Sequence, residues 1–201
     1  APQTVSLLRN PLAHVAPQRH SLTTSVSYAS EEYKLKIIPV GGLGEVGKNM
    51  TVIQYGEQMI VVDAGVMFPE DELFGSDMVI PDYSYLVENK DKVLAYVLTQ
   101  GHEDHIGGVP YVLRDVEAPV YSSPLTIGLL KGKLDEHHVK ARLHTVTPRQ
   151  VINIGPFKVE FIHVTHSIPD SFALAIHSPM GVILFASDFK IDLSPIDGQM
   201  M

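Results

Sequence analysis

From Leu35 onward the chain is a series of short apolar runs separated by turn residues, a pattern of strands with few helices between them. Leu35-Lys36-Ile37-Ile38-Pro39-Val40 predicts a strand that leads into the glycine-rich turn Gly41-Gly42-Leu43-Gly44-Glu45-Val46-Gly47. Met50 to Tyr55 and Gln58 to Val62 predict a hairpin through Gly56-Glu57, with Asp63-Ala64-Gly65 ending its second strand. Val93 to Thr99 reads as a buried strand, Ile106 to Val116 as a helix, and Ala118 to Tyr121 as a short strand. Pro124 to His138 reads as a further helix, because a proline suits the first turn, where its missing N–H has no partner to lose. The runs Val151 to Ile154, Phe157 to Val164, Phe172 to His177 and Val182 to Ala186 predict a β-rich tail, with Ser178-Pro179-Met180-Gly181 turning between the last two. Many strands and few helices imply an α+β layered domain and not a doubly wound one.

Composition narrows the class. At 201 residues and 45% apolar content, the chain suits one globular domain with a real core. No apolar stretch approaches the roughly 20 residues needed to cross a bilayer. The absence of cysteine excludes disulfides and thiolate zinc sites, so any metal must be held by His, Asp, Glu or weaker oxygen donors. Residues 1–30 carry only Arg9 and Arg19 as formal charges, so the net −8 of the chain leaves −10 on residues 31–201. Residues 1–33 are therefore read as a leader or disordered segment, or as an organellar transit segment, and 34–201 as the folded part. The acidic balance argues against a broadly basic nucleic-acid surface. It leaves phosphate substrates open, because bound dications reverse the local field.

Candidate chemistry concentrates in Gln100-Gly101-His102-Glu103-Asp104-His105-Ile106-Gly107-Gly108. A hydrolase without cysteine can make a nucleophile by binding water to a divalent ion, and two ions about 3.5–4 Å apart can clamp a scissile group. Such a site draws its ligands from several loops at strand ends, and this chain offers 100–105, His166 after one strand and Asp188 after another. In an extended stretch residues 100 and 102 point to one side. Asp104 and His105 fall where the chain turns into a helix, whose N-terminal dipole favours a carboxylate. Gly107 and Gly108 are expected to let the backbone pass close to the metals. Arg142 and Arg149 could touch phosphate, and Asp71, Glu72, Asp77 and Asp82 read as a solvated acidic loop.

The 100–108 loop resembles the HxHxDH signature of the metallo-β-lactamase superfamily with its first His replaced. Asp63, His166 and Asp188 match the other motifs in order. The stretches 39–49, 101–108, 164–171 and 188–192 resemble ribonuclease J, of the β-CASP nuclease branch, from about Leu35 to Met201. That resemblance implies a layered αβ/βα sandwich, incomplete at the C-terminus, as the N-terminal portion of a longer enzyme. It implies two divalent ions, zinc with manganese as the alternative. His102, His166 and position 100 would hold the first, Asp104 and His105 the second, and Asp188 would bridge both. Asp104 and His105 are the expected catalytic residues, with Asp104 also orienting the attacking water. Asp63 would support the loop without ligating. The implied activity is RNA phosphodiester hydrolysis, endonucleolytic and 5′ to 3′ exonucleolytic, in RNA processing and decay, by a cytoplasmic homo-oligomer.

Two departures modify this. Gln100 offers a neutral amide oxygen, a poor zinc ligand beside imidazole, and the family's last metal-binding His lies downstream of this chain. Reduced metal occupancy and impaired activity are the expectation. The alternatives are a degenerate non-catalytic paralogue or fragment, or another hydrolase of the same fold. The glycine turn 41–47 lacks the Gly-Lys-Ser/Thr ending of a phosphate-binding P-loop and is explained equally by a tight turn.

Overall fold

The computed structural model describes residues 33–68, 78–195, 198 and 200–201. The leader apart from Tyr33, and the acidic loop apart from Asp82, lie outside these residues. Strands β1 (Leu35–Gly41), β2 (Met50–Tyr55) and β3 (Gln58–Val62) form an antiparallel meander. Strands β4 (Val93–Val97), β5 (Val120–Ser122) and β6 (Leu143–Thr145) then add in parallel, giving a six-stranded sheet in sequence order. Helices α1 (Ser84–Glu88), α2 (Glu103–Ile106), α3 (Val109–Asp115) and α4 (Pro124–Glu136) supply the connections. The second sheet is an antiparallel meander of β7 (Val151–Ile154), β8 (Phe157–Val164), β9 (Ser171–Ser178) and β10 (Gly181–Phe185).

The central strands β2 to β4 of the first sheet are largely buried on both faces, which is why they read as mostly apolar runs. Along β2 to β4 alternate residues divide between two cores. Val52, Met59, Val61, Tyr96 and Leu98 pack with Ile106, Val109, Val112 and Leu130 on the helical side. Ile53, Ile60, Val62, Ala95 and Val97 pack against Phe157, Phe161, Phe172 and Leu174 of the second sheet. The layers therefore run helices, sheet, sheet, in agreement with the α+β layered expectation. Ring-to-ring contact between Phe161 and Phe172, at 5.3 Å and 69°, anchors the inter-sheet core. The outer residues of β10, Val182 and Leu184, are exposed at 59% and 68%, so the second sheet is covered on one face only among the described residues.

Two differences from the sequence pattern have physical causes. The single helix expected over 106–116 starts earlier and is broken into α2 and α3 at Gly107-Gly108. There Gly108 N–H donates to the Ala64 carbonyl at 2.8 Å, bringing the backbone against the loop that leaves β3. Strand β6 and helix α1 were not expected from the pattern. Leu143-His144-Thr145 is half-polar and exists because it pairs with β5, while Tyr121 stacks on His144 at 4.8 Å. No helix among the described residues is long and apolar enough to cross a membrane.

Candidate metal centre

Four chain segments meet at the ends of β3, β4, β8 and β10. Asp63 leaves β3 with φ 60° and Ser187 follows β10 with φ 55°. A left-handed conformation is costly for residues other than glycine, and Asp tolerates it best when its side chain is tied down. Asp63 is tied down completely. Its Oδ1 accepts the Thr99 backbone N–H at 2.8 Å, and its Oδ2 accepts the Thr99 hydroxyl at 2.7 Å and the His105 Nδ1–H at 2.8 Å. A buried carboxylate on Nδ1 fixes the ring so that Nε2 faces the site, the orientation a metal-binding imidazole requires.

On the Nε2 side of His105 lie Asp188 Oδ2 at 3.1 Å and Asp104 Oδ2 at 3.5 Å. One ligand atom from each of Asp104, His105 and Asp188 lies within 4.8 Å of the others. A tetrahedral ion bonded at about 2.0–2.2 Å holds its ligand atoms about 3.3–3.5 Å apart, so these three side chains fit a divalent ion. His166 Nε2 stands 3.7 Å from Asp188 Oδ2, and the His102 and His166 rings meet edge to face at 5.2 Å. Gln100 is fully buried; its Nε2 donates to Asp188 Oδ2 at 2.9 Å and lies 3.0 Å from His105 Nε2. A cavity of about 370 Å³, lined in part by Ile37, Asn49, His105, Leu184, Ser187 and Asp188, opens onto the cluster.

The charges around His105 set its protonation. Burial disfavours the imidazolium most, but the Asp63 carboxylate, by charge and hydrogen bond, outweighs it together with Asp104 and Asp188 and lifts the ring to about 9. Burial pushes the His166 ring below its ordinary value; Asp188 opposes this, and the neighbouring His102 and His105 rings reinforce it.

The structure thus gathers Asp63, Gln100, His102, Asp104, His105, His166 and Asp188 at one end of the two sheets. Arg142 and Arg149 have no described contact with this cluster. Helix α2 is only four residues long, so its dipole is a minor influence on Asp104. Gly107 and Gly108 serve packing against the 63–66 loop: a Cβ on Gly107 would lie 2.7 Å from Val66 Cγ2, and one on Gly108 2.8 Å from the Gly65 carbonyl oxygen. The same argument is stronger at Gly65, where a Cβ would sit 1.6 Å from the Asp104 carbonyl oxygen.

Sequence reasoning missed Asn49 and Thr99. Asn49 Nδ2 donates to Asp104 Oδ2 at 3.1 Å, and its backbone N–H donates to the Asp104 carbonyl at 3.0 Å. The only signal for it was its position at the end of the glycine-rich stretch 39–49. Thr99 read as the last residue of a strand, yet its hydroxyl joins Asp63 to Ser187 Oγ, 2.8 Å away.

Residues 43–196 match the family model described as the metallo-beta-lactamase superfamily. The chain belongs to that superfamily. Among similar proteins, Ribonuclease J of Synechocystis sp. is 48% identical over 169 residues, covering 82% of this chain and 26% of that protein. Ribonuclease J 1 of Streptococcus pyogenes is 44% identical over 175 residues, covering 86% of this chain and 31% of that protein. The chain therefore spans about a quarter to a third of the length of these relatives. Its fold is similar to the crystal structure of the metallo-beta-lactamase fold protein YhfI from Bacillus subtilis, with a TM-score of 0.55 at 20% identity over 76% of this chain and 62% of that one. A protein of unknown function from Enterococcus faecalis aligns with a TM-score of 0.59 at 18% identity, over 79% of this chain and 44% of that one. The superfamily implies divalent-metal chemistry, and the Asp104, His105 and Asp188 donor set is chemically suited to it.

Proposed function

We propose that this chain carries the metal-binding part of a ribonuclease J-type enzyme that hydrolyses RNA phosphodiester bonds, endonucleolytically and from the 5′ end. The observation that carries the reading is the Asp104, His105 and Asp188 cluster, backed by the Asp63 carboxylate on His105 Nδ1. The similarity to ribonuclease J over four fifths of the chain selects RNA among possible substrates. The ion supplies Lewis acidity and lowers the pKa of water toward 7 when bound. His105 and Asp104 would hold it, Asp188 would lie between the two metal positions, and His102 with His166 would serve the other position. Asp104, held by Asn49, can accept a hydrogen bond from the attacking water and orient it. Zinc is the proposed ion, with manganese as the alternative, and two are implied by the family arrangement. Occupancy and activity are reduced here by Gln100.

Residues 1–33 are proposed as a leader outside the catalytic domain. The enzyme would act as a homo-oligomer in the cytoplasm, or in a plastid or mitochondrion if that leader is a transit segment. The test is hydrolysis of 5′-monophosphorylated and 5′-triphosphorylated RNA with zinc or manganese, with and without chelator. Metal-dependent cleavage that Asp104→Asn and His105→Ala abolish is expected. Cleavage indifferent to chelator and to both substitutions would sink the proposal. A second reading, a degenerate non-catalytic paralogue, is favoured by Gln100 alone, and it predicts that RNA binds without being cut.

A further inference from the structure

Gln100 is fully buried, its amide nitrogen is engaged, and its carbonyl oxygen Oε1 has no hydrogen-bond partner. A buried carbonyl left unpaired is costly, so the orientation of this amide is set by something stronger on its other side. That something is Asp188, whose Oδ2 accepts from Gln100 Nε2 at 2.9 Å. Turning the amide over would bring Oε1 to about the same distance from a carboxylate oxygen, acceptor against acceptor. The N–H orientation is therefore the one that suits the carboxylate and a His105 Nε2 that accepts, 3.0 Å from the same nitrogen.

We propose that this chain binds a single divalent ion, at Asp104, His105 and Asp188, and that the Gln100 N–H group replaces a second ion as the other positive neighbour of Asp188. The inference rests on the metal-dependent reading given above and refines it. A carboxylate placed between two cations has positive charge on both sides. Here one side is supplied by an amide hydrogen, from a nitrogen whose lone pair is delocalised and does not coordinate. Presenting Oε1 instead would bring in only a neutral oxygen, weak for zinc beside imidazole, and would cost the bond to Asp188.

The remaining first-position side chains agree. His166 Nε2 is 3.7 Å from Asp188 Oδ2, and His102 touches His166 through ring edges at 5.2 Å. Among the described residues these two rings belong to no group of three ligand atoms gathered within 4.8 Å, whereas Asp104, His105 and Asp188 do. Among the described residues, three ligand atoms are gathered at one of the two positions only. Gln100 reaches Asp188 Oδ2 at 2.9 Å and lies 3.0 Å from His105 Nε2 while remaining sealed from solvent, and it offers no ligand atom at the position of His102 and His166.

The test is the number of zinc ions per chain, measured by native mass spectrometry and by elemental analysis after equilibration with zinc alone. The wild-type chain is expected to hold one, Gln100→His two, His166→Ala one, and Asp104→Asn none. Two ions in the wild type would overturn the inference and leave the metal-dependent reading intact. So would loss of the ion from His166→Ala with retention in Asp104→Asn. A single ion in a folded Gln100→His chain would overturn the role given to Gln100. No zinc in any form, Gln100→His included, would overturn this inference and the metal-dependent reading together. Should Gln100→His fail to fold, the contrast between His166→Ala and Asp104→Asn still decides which ligands hold the ion.

Discussion

Asp63→Asn is the substitution that separates support of the ring from bulk stability. Asp63 is 1% exposed and accepts three hydrogen bonds, from Thr99 N–H, the Thr99 hydroxyl and His105 Nδ1–H. Asparagine keeps the shape and one acceptor for Thr99 N–H. It places an NH2 group where Oδ2 met His105, so Nδ1 must accept and the ring proton moves to Nε2. An Nε2 that carries the proton offers no lone pair to an ion, and loss of a carboxylate behind a ligating His lowers metal affinity about 10- to 100-fold. Metal-free stability responds differently. The His105 value in the folded chain, about 9, lies above the 6.5 of a free imidazole. The stabilisation is therefore complete below pH 6.5 and is lost as pH rises through about 9, a slope on the order of 3 kcal/mol over that window. In Asp63→Asn the largest source of the raised value is gone and the slope should flatten. The assays are zinc-binding isotherms and thermal melts of the metal-free chain between pH 6 and 10. A zinc Kd within threefold of wild type, with an unchanged stability slope, would refute the argument.

Other expectations follow from the same geometry. Zinc affinity of the wild-type chain should rise with pH up to about 9, because the ion must displace the His105 proton; calorimetry in buffers of different ionisation enthalpy would count the proton released. Gly65→Ala should destabilise the chain by at least about 3 kcal/mol in denaturant titrations, since its Cβ would meet the Asp104 carbonyl oxygen and the two loops cannot separate without losing the Ala64–His105 and Val66–Glu103 hydrogen bonds. Ser123→Ala removes the side-chain cap on α4, which accepts the Thr126 N–H at 3.2 Å, and should cost about 1 kcal/mol while leaving the zinc count unchanged. Zinc at about 100 times its Kd should raise unfolding stability by about 2.7 kcal/mol, reversibly on chelation. A melt that chelator does not move would contradict the metal centre.

Much of the fold was legible because both faces of the central strands of the first sheet are buried, which writes β2, β3 and β4 as mostly apolar runs. The break between α2 and α3 was not, because it depends on the 63–66 loop arriving against Gly107 and Gly108, a contact distant in sequence. Strand β6 was invisible for a related reason. Its residues are half-polar, and β5 confers their strand state. At the site, the loop 100–108, His166 and Asp188 could be singled out from residue type and order alone. Asn49 and Thr99 could not, since an amide and a hydroxyl acquire a role here only from the carboxylates beside them.

The sequence by itself determined the donor chemistry: no thiolates, a short run of His and carboxylates at a strand end, and an amide where a third His was expected. Tertiary structure decided what the amide does. Folding buries Gln100 beside Asp188 and His105, 88 and 5 residues away along the chain, and its N–H turns toward the carboxylate because two acceptor oxygens cannot share that space. Which end of a buried amide faces a charge depends on neighbours that only packing brings into contact.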